Sequence, residues 1–258
     1  MSIRIIALAN QKGGVGKTTT AVNLATAIAA FGHSVLLVDL DPQGNASTGL
    51  GFGQADRACG TYSVLTQQTE INAALIATGI PNLSLLMAEA DLGGMEVELA
   101  TMSARESRLA IELHKLGSGF EYVLIDCPPS IGLLTLNALV AAHSIIIPLQ
   151  CEFFALEGLS QLTRSIARTR TQLNARLEIQ GIVLTMYDRR NNLSELVAAD
   201  VRSVFGAKVY ETVIPRNVRV SEAPSHGQPV LLYDYRSPGS QAYVRLAAEV
   251  LRQERDRL

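Results

Sequence analysis

The chain has 258 residues, of which 48% are hydrophobic and 18% charged, with a formal net charge of −2. That balance excludes an intrinsically disordered chain and leaves room for one large α/β core. No apolar run has the length of a membrane span and no secretory leader opens the sequence, so a cytoplasmic protein is expected. Cys59, Cys127 and Cys151 show neither metal-ligand spacing nor a paired framework, so reduced thiols are expected.

Ile3 to Ala9 is an apolar run that predicts a buried strand. Lys12 to Thr19, K-G-G-V-G-K-T-T, follows it, and Thr20 to Phe31 carries the apolar periodicity of a helix. Strand, glycine-rich loop and helix in this order form the setting of a phosphate-binding loop. Gly13, Gly14 and Gly16 let the backbone curl so that successive N–H groups converge on an anion. The helix N-terminus adds a favourable dipole and free donors. Lys17 then reaches the β- and γ-phosphates, and the Thr18 hydroxyl is placed for Mg²⁺. The ordinary phosphate-loop pattern asks for glycine where Gln11 stands; a second lysine, Lys12, lies beside it.

Ser34 to Val38 predicts a second parallel strand, ending in Asp39-Leu40-Asp41-Pro42-Gln43-Gly44-Asn45. Carboxylates at the C-terminal end of such a strand lie where ligands bind in open α/β sheets. The same residues are also good turn chemistry. Residues 46–60 read as a mobile glycine-rich loop, Thr61 to Gly79 as two short helices with Thr61 or Thr69 as caps, and Leu83 to Leu86 as a brief strand. Asp91 to Leu116 reads as one long or broken helix. Tyr122 to Asp126 is an apolar strand ending in aspartate, the Walker B form, in which Asp126 holds Mg²⁺ directly or through water. Two prolines stiffen the Cys127-Pro128-Pro129-Ser130 segment after it.

A helix over Leu133 to Ala142, a strand over Ser144 to Leu149 and a helix to about Leu173 come next, with Phe153 and Phe154 assignable to core or to an interface. Ile179 to Thr185 predicts a strand, Leu193 to Phe205 a helix, and Ser237 or Pro238 the start of a last helix. Residues 1–159 carry seven Lys+Arg against 14 Asp+Glu, a net of −7, whereas residues 160–258 carry 15 against 10, a net of +5. Fourteen of those 15 are arginine, a composition suited to a polyanion or to solvated helix faces.

The segments KGGVGKTT, DLDPQGN, LIDCPPS, ALEGL, TMYD and PRNVRVSEAPSHG together resemble the chromosomal ParA/Soj branch of the ParA/MinD deviant Walker A ATPases over nearly the whole chain. The resemblance implies an α/β P-loop NTPase whose mostly parallel twisted sheet is flanked by helices on both faces. It implies one domain over residues 1–258, with no N-terminal helix-turn-helix domain. ATP and Mg²⁺ are the implied cofactors, held by Lys12, Gly13, Gly14, Val15, Gly16, Lys17, Thr18 and Thr19. Lys12 reaches the nucleotide of the other subunit in an ATP-dependent homodimer. Asp39 joins Thr18 and Asp126 around Mg²⁺, and Asp41 lies near the attacking water. Met186, Pro215 and Asn217 are placed by the adenine, although Asn217 is equally suited to cap a helix.

The same resemblance makes Arg190 and Arg219 contacts to double-stranded DNA without sequence preference, with Arg189, Arg216 and Arg236 as secondary candidates. It implies slow ATP hydrolysis stimulated by a ParB-type centromere-binding partner, nucleoid association and no membrane binding. Rival readings are an orphan ParA-like ATPase that positions another cargo such as chemoreceptor clusters, a MinD-type membrane regulator, and a metabolic enzyme that uses the loop for amidation or metal-cluster assembly. The MinD type ends in an amphipathic membrane helix; the end of this chain, Arg252 to Arg257, alternates in charge and lacks an apolar stripe.

Overall fold

The computed structural model describes residues 3–256. Seven strands form one sheet: β1 (Arg4–Leu8), β2 (Val35–Asp39), β3 (Ile76–Ala77), β4 (Leu83–Leu86), β5 (Tyr122–Asp126), β6 (Ser144–Gln150) and β7 (Glu178–Thr185). Their spatial order is β3-β4-β2-β5-β1-β6-β7, and every pairing is parallel except β3 with β4. Alternation of side chains sends the residues of each strand to two opposite cores. Ile5, Ala7, Leu36, Val38, Val123, Ile125, Ile145 and Ile147 pack with helices Leu133–Ala141, Ala155–Gln172 and Asn192–Phe205. Ile6, Leu8, Val35, Leu37, Leu124, Ile146 and Val183 pack with helices Lys17–Ala30 and Pro238–Arg255. Covering both faces is what a parallel sheet of apolar strands requires.

The topology opens a crevice at the carboxyl end of β1. Pairing of β1 with β6 stops at Leu8 and Ile146, whereas β6 stays paired with β7 as far as Gln150 and Thr185. Pro148 lies in the part of β6 with no β1 partner, where its missing N–H leaves no gap in a ladder. Its carbonyl accepts instead from Asn10 Nδ2 at 2.7 Å, which steers the chain after β1 away from the sheet. The strand order changes direction at β1, the position where open α/β sheets bind ligands.

Several local expectations change. Residues 46–60 contain a helix, Asn45–Gly49, and a short 3₁₀ turn, Gln54–Asp56, because Ser47 is pinned to Asp39. The two short helices are Thr61–Leu65 and Ile71–Ala74, and the residues preceding them are Gly60 and Glu70. Thr61 is no cap: its hydroxyl donates to the carbonyls of Asp39 and Met87. The stretch from Asp91 to Leu116 breaks into helices Met95–Thr101 and Arg108–Leu113, with Ala104 at φ +52° between them. The last helix begins as expected, with the Ser237 hydroxyl accepting from Ser240 N–H and Pro238 in the first turn. Among the described residues no helix is long and apolar enough to cross a membrane.

Candidate functional site

The phosphate loop is held open from two sides. Asn10 Oδ1 accepts from Lys12 N–H at 3.1 Å, and the Thr185 hydroxyl donates to the Val15 carbonyl at 2.7 Å. Gly14 and Gly16 take φ of +73° and +86°, which a side chain would strain. Gly16 precedes the helix Lys17–Ala30 with no side-chain cap and no acidic residue in the first turn, so the first N–H groups are left for an anion. Lys17 is buried and donates to the Lys12 carbonyl at 3.1 Å. Burial pushes its pKa down, against the pull of Asp126 and Asp41.

This loop forms one wall of a cleft of about 740 Å³. Gly13, Gly14, Gly16, Lys17, Thr18 and Thr19 line one end, Asp41 and Gln43 the side, and Met186, Pro215 and Asn217 the other end. Val15 turns inward and is buried. Lys12 lies outside the cleft and is ion-paired to Glu152 of its own chain. Both partners are substantially exposed, so the pair is cheap to break.

Three carboxylates gather at the strand ends, in three different situations. Asp39 and Asp126 are register partners on β2 and β5. Asp39 is fully engaged: one oxygen accepts from Ser47 N–H at 2.8 Å and Ser47 Oγ at 2.7 Å, and the other from Asp41 N–H at 3.3 Å. Burial, opposed by the Ser47 bonds, raises its pKa to about 6. Neither buried oxygen of Asp126 has a hydrogen-bond partner. Burial first, and the Asp39 charge second, push the Asp126 pKa well up, while nearby Thr18 and Lys17 favour its ionised form. Asp41 is nearly buried at the cleft wall, where Gln43 N–H donates to it at 3.0 Å.

An unpartnered buried carboxylate beside a threonine hydroxyl is an oxygen donor set that fits Mg²⁺. Among the described residues no group of three or more His, Cys, Asp or Glu could hold a metal by itself. Asp39, expected around the metal, accepts from Ser47 and is not among the residues that line the cleft.

At the far end, Met186 adopts φ +48°, uncommon for a residue with a side chain. It follows Thr185, which holds the loop, and precedes Tyr187, whose N–H donates to the Ile214 carbonyl and whose carbonyl accepts from Arg216 N–H. Asn217 precedes the short helix Val218–Glu222 but makes no side-chain cap; its Oδ1 is buried with no partner. Of the two roles open to Asn217, capping is therefore not the one adopted. A second cleft, of about 480 Å³, lies on the other side of Pro215 and Arg216 and is lined by Asp188, Arg189, Arg190, Arg216 and Arg245. Arg219 is not among its lining residues and pairs with Glu222 and Asp234. Arg236 lines neither cleft.

Residues 3–179 match the family described as an AAA domain. The chain is 60% identical over 257 residues to the chromosome partitioning protein ParA of Caulobacter vibrioides, covering 99% of this chain and 96% of that one. It is 51% identical over 247 residues to the sporulation initiation inhibitor protein Soj of Bacillus subtilis, covering 96% and 98%. The chain belongs to the ParA/Soj family. Cobyrinic acid a,c-diamide synthase from Mycobacterium smegmatis, crystallised with bound ADP and magnesium, superposes on this ParA/Soj-family chain with a TM-score of 0.87. The two share 38% identity, over 98% of this chain and 96% of that one. Together these likenesses make the chain a P-loop ATPase with ATP and Mg²⁺ as its cofactors.

Several residues of the ParA/Soj site escape a reading by motif. Thr185 carries a loop contact from a strand end, and only its place at the carboxyl edge of β7 hints at it. Tyr243 lines the nucleotide cleft, with its hydroxyl 3.3 Å from that of Thr20, but in the sequence it is one apolar position of the last helix. Arg245 joins the basic cleft from the same helix. The edge-to-face pair Phe153 and Phe154 is 77% and 64% exposed, which excludes the core placement.

Proposed function

We propose that this chain is the nucleotide-timed DNA-binding ATPase of a chromosome-partitioning system. One observation carries the reading: the nucleotide cleft and the arginine cleft share Pro215 and Arg216 as a common wall. Nucleotide seated against Pro215 and Asn217 therefore bears on the segment that places the arginines.

In the proposed cycle Lys17 exchanges the Lys12 carbonyl for phosphate oxygens, and the loop N–H groups take the rest of the anion. Thr18 and Asp126 hold Mg²⁺, which neutralises charge on the phosphates when bound. Asp41, its orientation fixed by Gln43 N–H, positions the attacking water. Asp39 holds Ser47 and so keeps the Asp41 segment in place. Two copies close face to face, and Lys12 leaves Glu152 for the nucleotide of the partner. The closed dimer binds DNA through arginines without reading sequence, and such binding weakens steeply with salt. A ParB-type partner stimulates slow hydrolysis, after which the subunits separate and DNA is released.

The test is binding to random-sequence duplex DNA and, in parallel, to anionic vesicles, with no nucleotide, with ADP, and with ATP in the Asp41→Ala variant to block turnover. ATP-dependent DNA binding that is weakened in Arg190→Ala supports the reading. Vesicle binding without DNA affinity refutes it in favour of a membrane regulator. An amidation enzyme is a second reading, favoured by the likeness to the diamide synthase. Glutamine-dependent turnover of ATP without any response to DNA would establish it.

A further inference from the structure

Arg190, the arginine expected to meet DNA, is already occupied. Its Nε donates to Asp188 Oδ1 at 3.0 Å and its Nη2 to Asp188 Oδ2 at 2.9 Å, a two-pronged contact with one carboxylate. The Arg190 backbone N–H adds a third bond to Oδ1 at 3.0 Å. A guanidinium makes this same fork with a phosphate group. Asp188 is the one carboxylate among the lining residues of a cleft that also presents Arg189, Arg216 and Arg245. Tyr187, Val213, Pro215 and Pro238 complete the walls. The carboxylate thus sits among four arginines where a single anionic group of about its own size is wanted.

We propose that Asp188 is an internal stand-in for a DNA phosphate: its carboxylate holds the Arg190 fork, and a phosphodiester group of duplex DNA displaces it on binding. The inference rests on the proposed DNA-binding reading and adds to it the identity of the group that DNA must compete with. The energetics suit an exchange. The Arg190 side chain is 88% exposed and that of Asp188 27%, so the pair is screened by water and easily opened. Released from Arg190, the Asp188 carboxylate still accepts the backbone N–H that fixes its turn. The arginine fork drives the Asp188 pKa down to about 2, with Arg216 adding to the field, so the competitor stays anionic throughout the neutral range. Arg219 is built alike from the short helix Val218–Glu222, paired with Glu222 at 2.9 Å and Asp234 at 3.5 Å. Each of the two arginines expected at DNA therefore has a carboxylate of its own chain to give up.

The experiment is fluorescence anisotropy with a labelled random-sequence duplex at low salt, using the full chain loaded with a non-hydrolysable ATP analogue. Wild type, Asp188→Asn, Arg190→Ala and the double variant are compared. Asparagine keeps the acceptor for Arg190 N–H and removes the charge; Asp188→Ser, which also keeps an acceptor, is the second variant should the first unfold. Tighter binding by about two- to fivefold is expected for Asp188→Asn, the range for releasing one exposed ion pair. The gain must vanish in the Arg190→Ala background, because only Arg190 is being released. A gain that persists there is a general charge effect and overturns the stand-in. DNA binding by wild type with no gain in Asp188→Asn or Asp188→Ser also overturns it, leaving the DNA-binding reading intact. Failure of wild type and both variants to bind DNA in any nucleotide state refutes that reading and the inference with it.

Discussion

Ser47→Ala removes one hydroxyl eight residues from Asp39, and the structure assigns that hydroxyl two bonds. It donates to Asp39 Oδ2 at 2.7 Å and accepts from Ala88 N–H at 3.2 Å, with Ser47 itself fully buried. A bond to a buried charged group contributes about 1.5–3 kcal/mol, and an orphaned buried N–H costs about 1–3 kcal/mol. Asp39 keeps Ser47 N–H and Asp41 N–H, and it can take a proton in place of the lost donor, so the lower parts of both ranges apply. The expected loss is roughly 2–4 kcal/mol, or about 4–8 °C in melting temperature for a chain of this size. Urea and thermal unfolding of the two proteins at pH 7.5 measure it. The sign with pH is fixed by the raised pKa of Asp39. Its ionised form is the one the hydroxyl serves, so the deficit shrinks as pH falls below about 6, where wild-type Asp39 is already protonated. A deficit under about 2 °C, or one that grows on acidification, would show that Ser47 does not hold Asp39.

Gly60→Ala places a methyl carbon 2.1 Å from the Met87 carbonyl oxygen, which also accepts from Thr61 N–H. Backbone cannot yield there, so a loss of roughly 2–4 kcal/mol in denaturant unfolding is expected, and an unchanged midpoint refutes the contact. His143 Nδ1 accepts from Ile5 N–H at 3.0 Å, and burial together with Arg4, Arg176 and His114 lowers its pKa. The unfolded chain therefore takes a proton first. The stability His143 contributes is complete above its ordinary value near 6.5 and is lost as pH falls from there through the folded value. Urea midpoints between pH 7.5 and 5.5 should fall less steeply in His143→Asn than in wild type; parallel slopes refute the assignment. Asn217→Leu deletes the unpartnered buried acceptor at the end of the cleft proposed for the adenine. ATP affinity by titration calorimetry should drop about three- to tenfold, the range of one ordinary hydrogen bond, and an unchanged affinity moves the base elsewhere.

Motifs carried by a continuous run of residues were legible in the sequence, and those completed by distant ones were not. The phosphate loop is such a run: one apolar strand, three glycines, Lys17-Thr18 and a helical periodicity follow one another without a break, so their order alone implies the strand, loop and helix observed. Asp39 and Asp126 look equivalent in the sequence, each an aspartate closing an apolar strand. What separates them is Ser47, whose helix was hidden in a segment too rich in glycine to read as ordered, and which saturates one aspartate while the other stays unpartnered. Phe153 and Phe154 illustrate the reverse failure. Their apolar character suggests core, but the buried stripe of the following helix starts at Ala155 and continues through Leu159, Leu162 and Ile166, which leaves both rings outside it.

The basic cleft shows why arginine content could suggest a polyanion without placing it. Arg189 and Arg190 come from the loop after β7, Arg216 from the segment before Val218–Glu222, and Arg245 from the last helix. No spacing in the chain relates them. The fold does so through backbone: Tyr187 exchanges bonds with Ile214 and Arg216, which ties the first loop to the second segment. Pro238, at the start of the helix that carries Arg245, closes the wall. Those ties use N–H and C=O groups that every residue possesses, so no side-chain pattern could announce them. The same backbone ties fall on Ile214 and Arg216, which flank Pro215 in the nucleotide cleft. Removing Arg190, which lines the basic cleft alone, should therefore weaken DNA binding and leave nucleotide affinity unchanged. A substitution at Pro215 that shifts the backbone should disturb both, and loss of only one of the two activities there would separate the clefts.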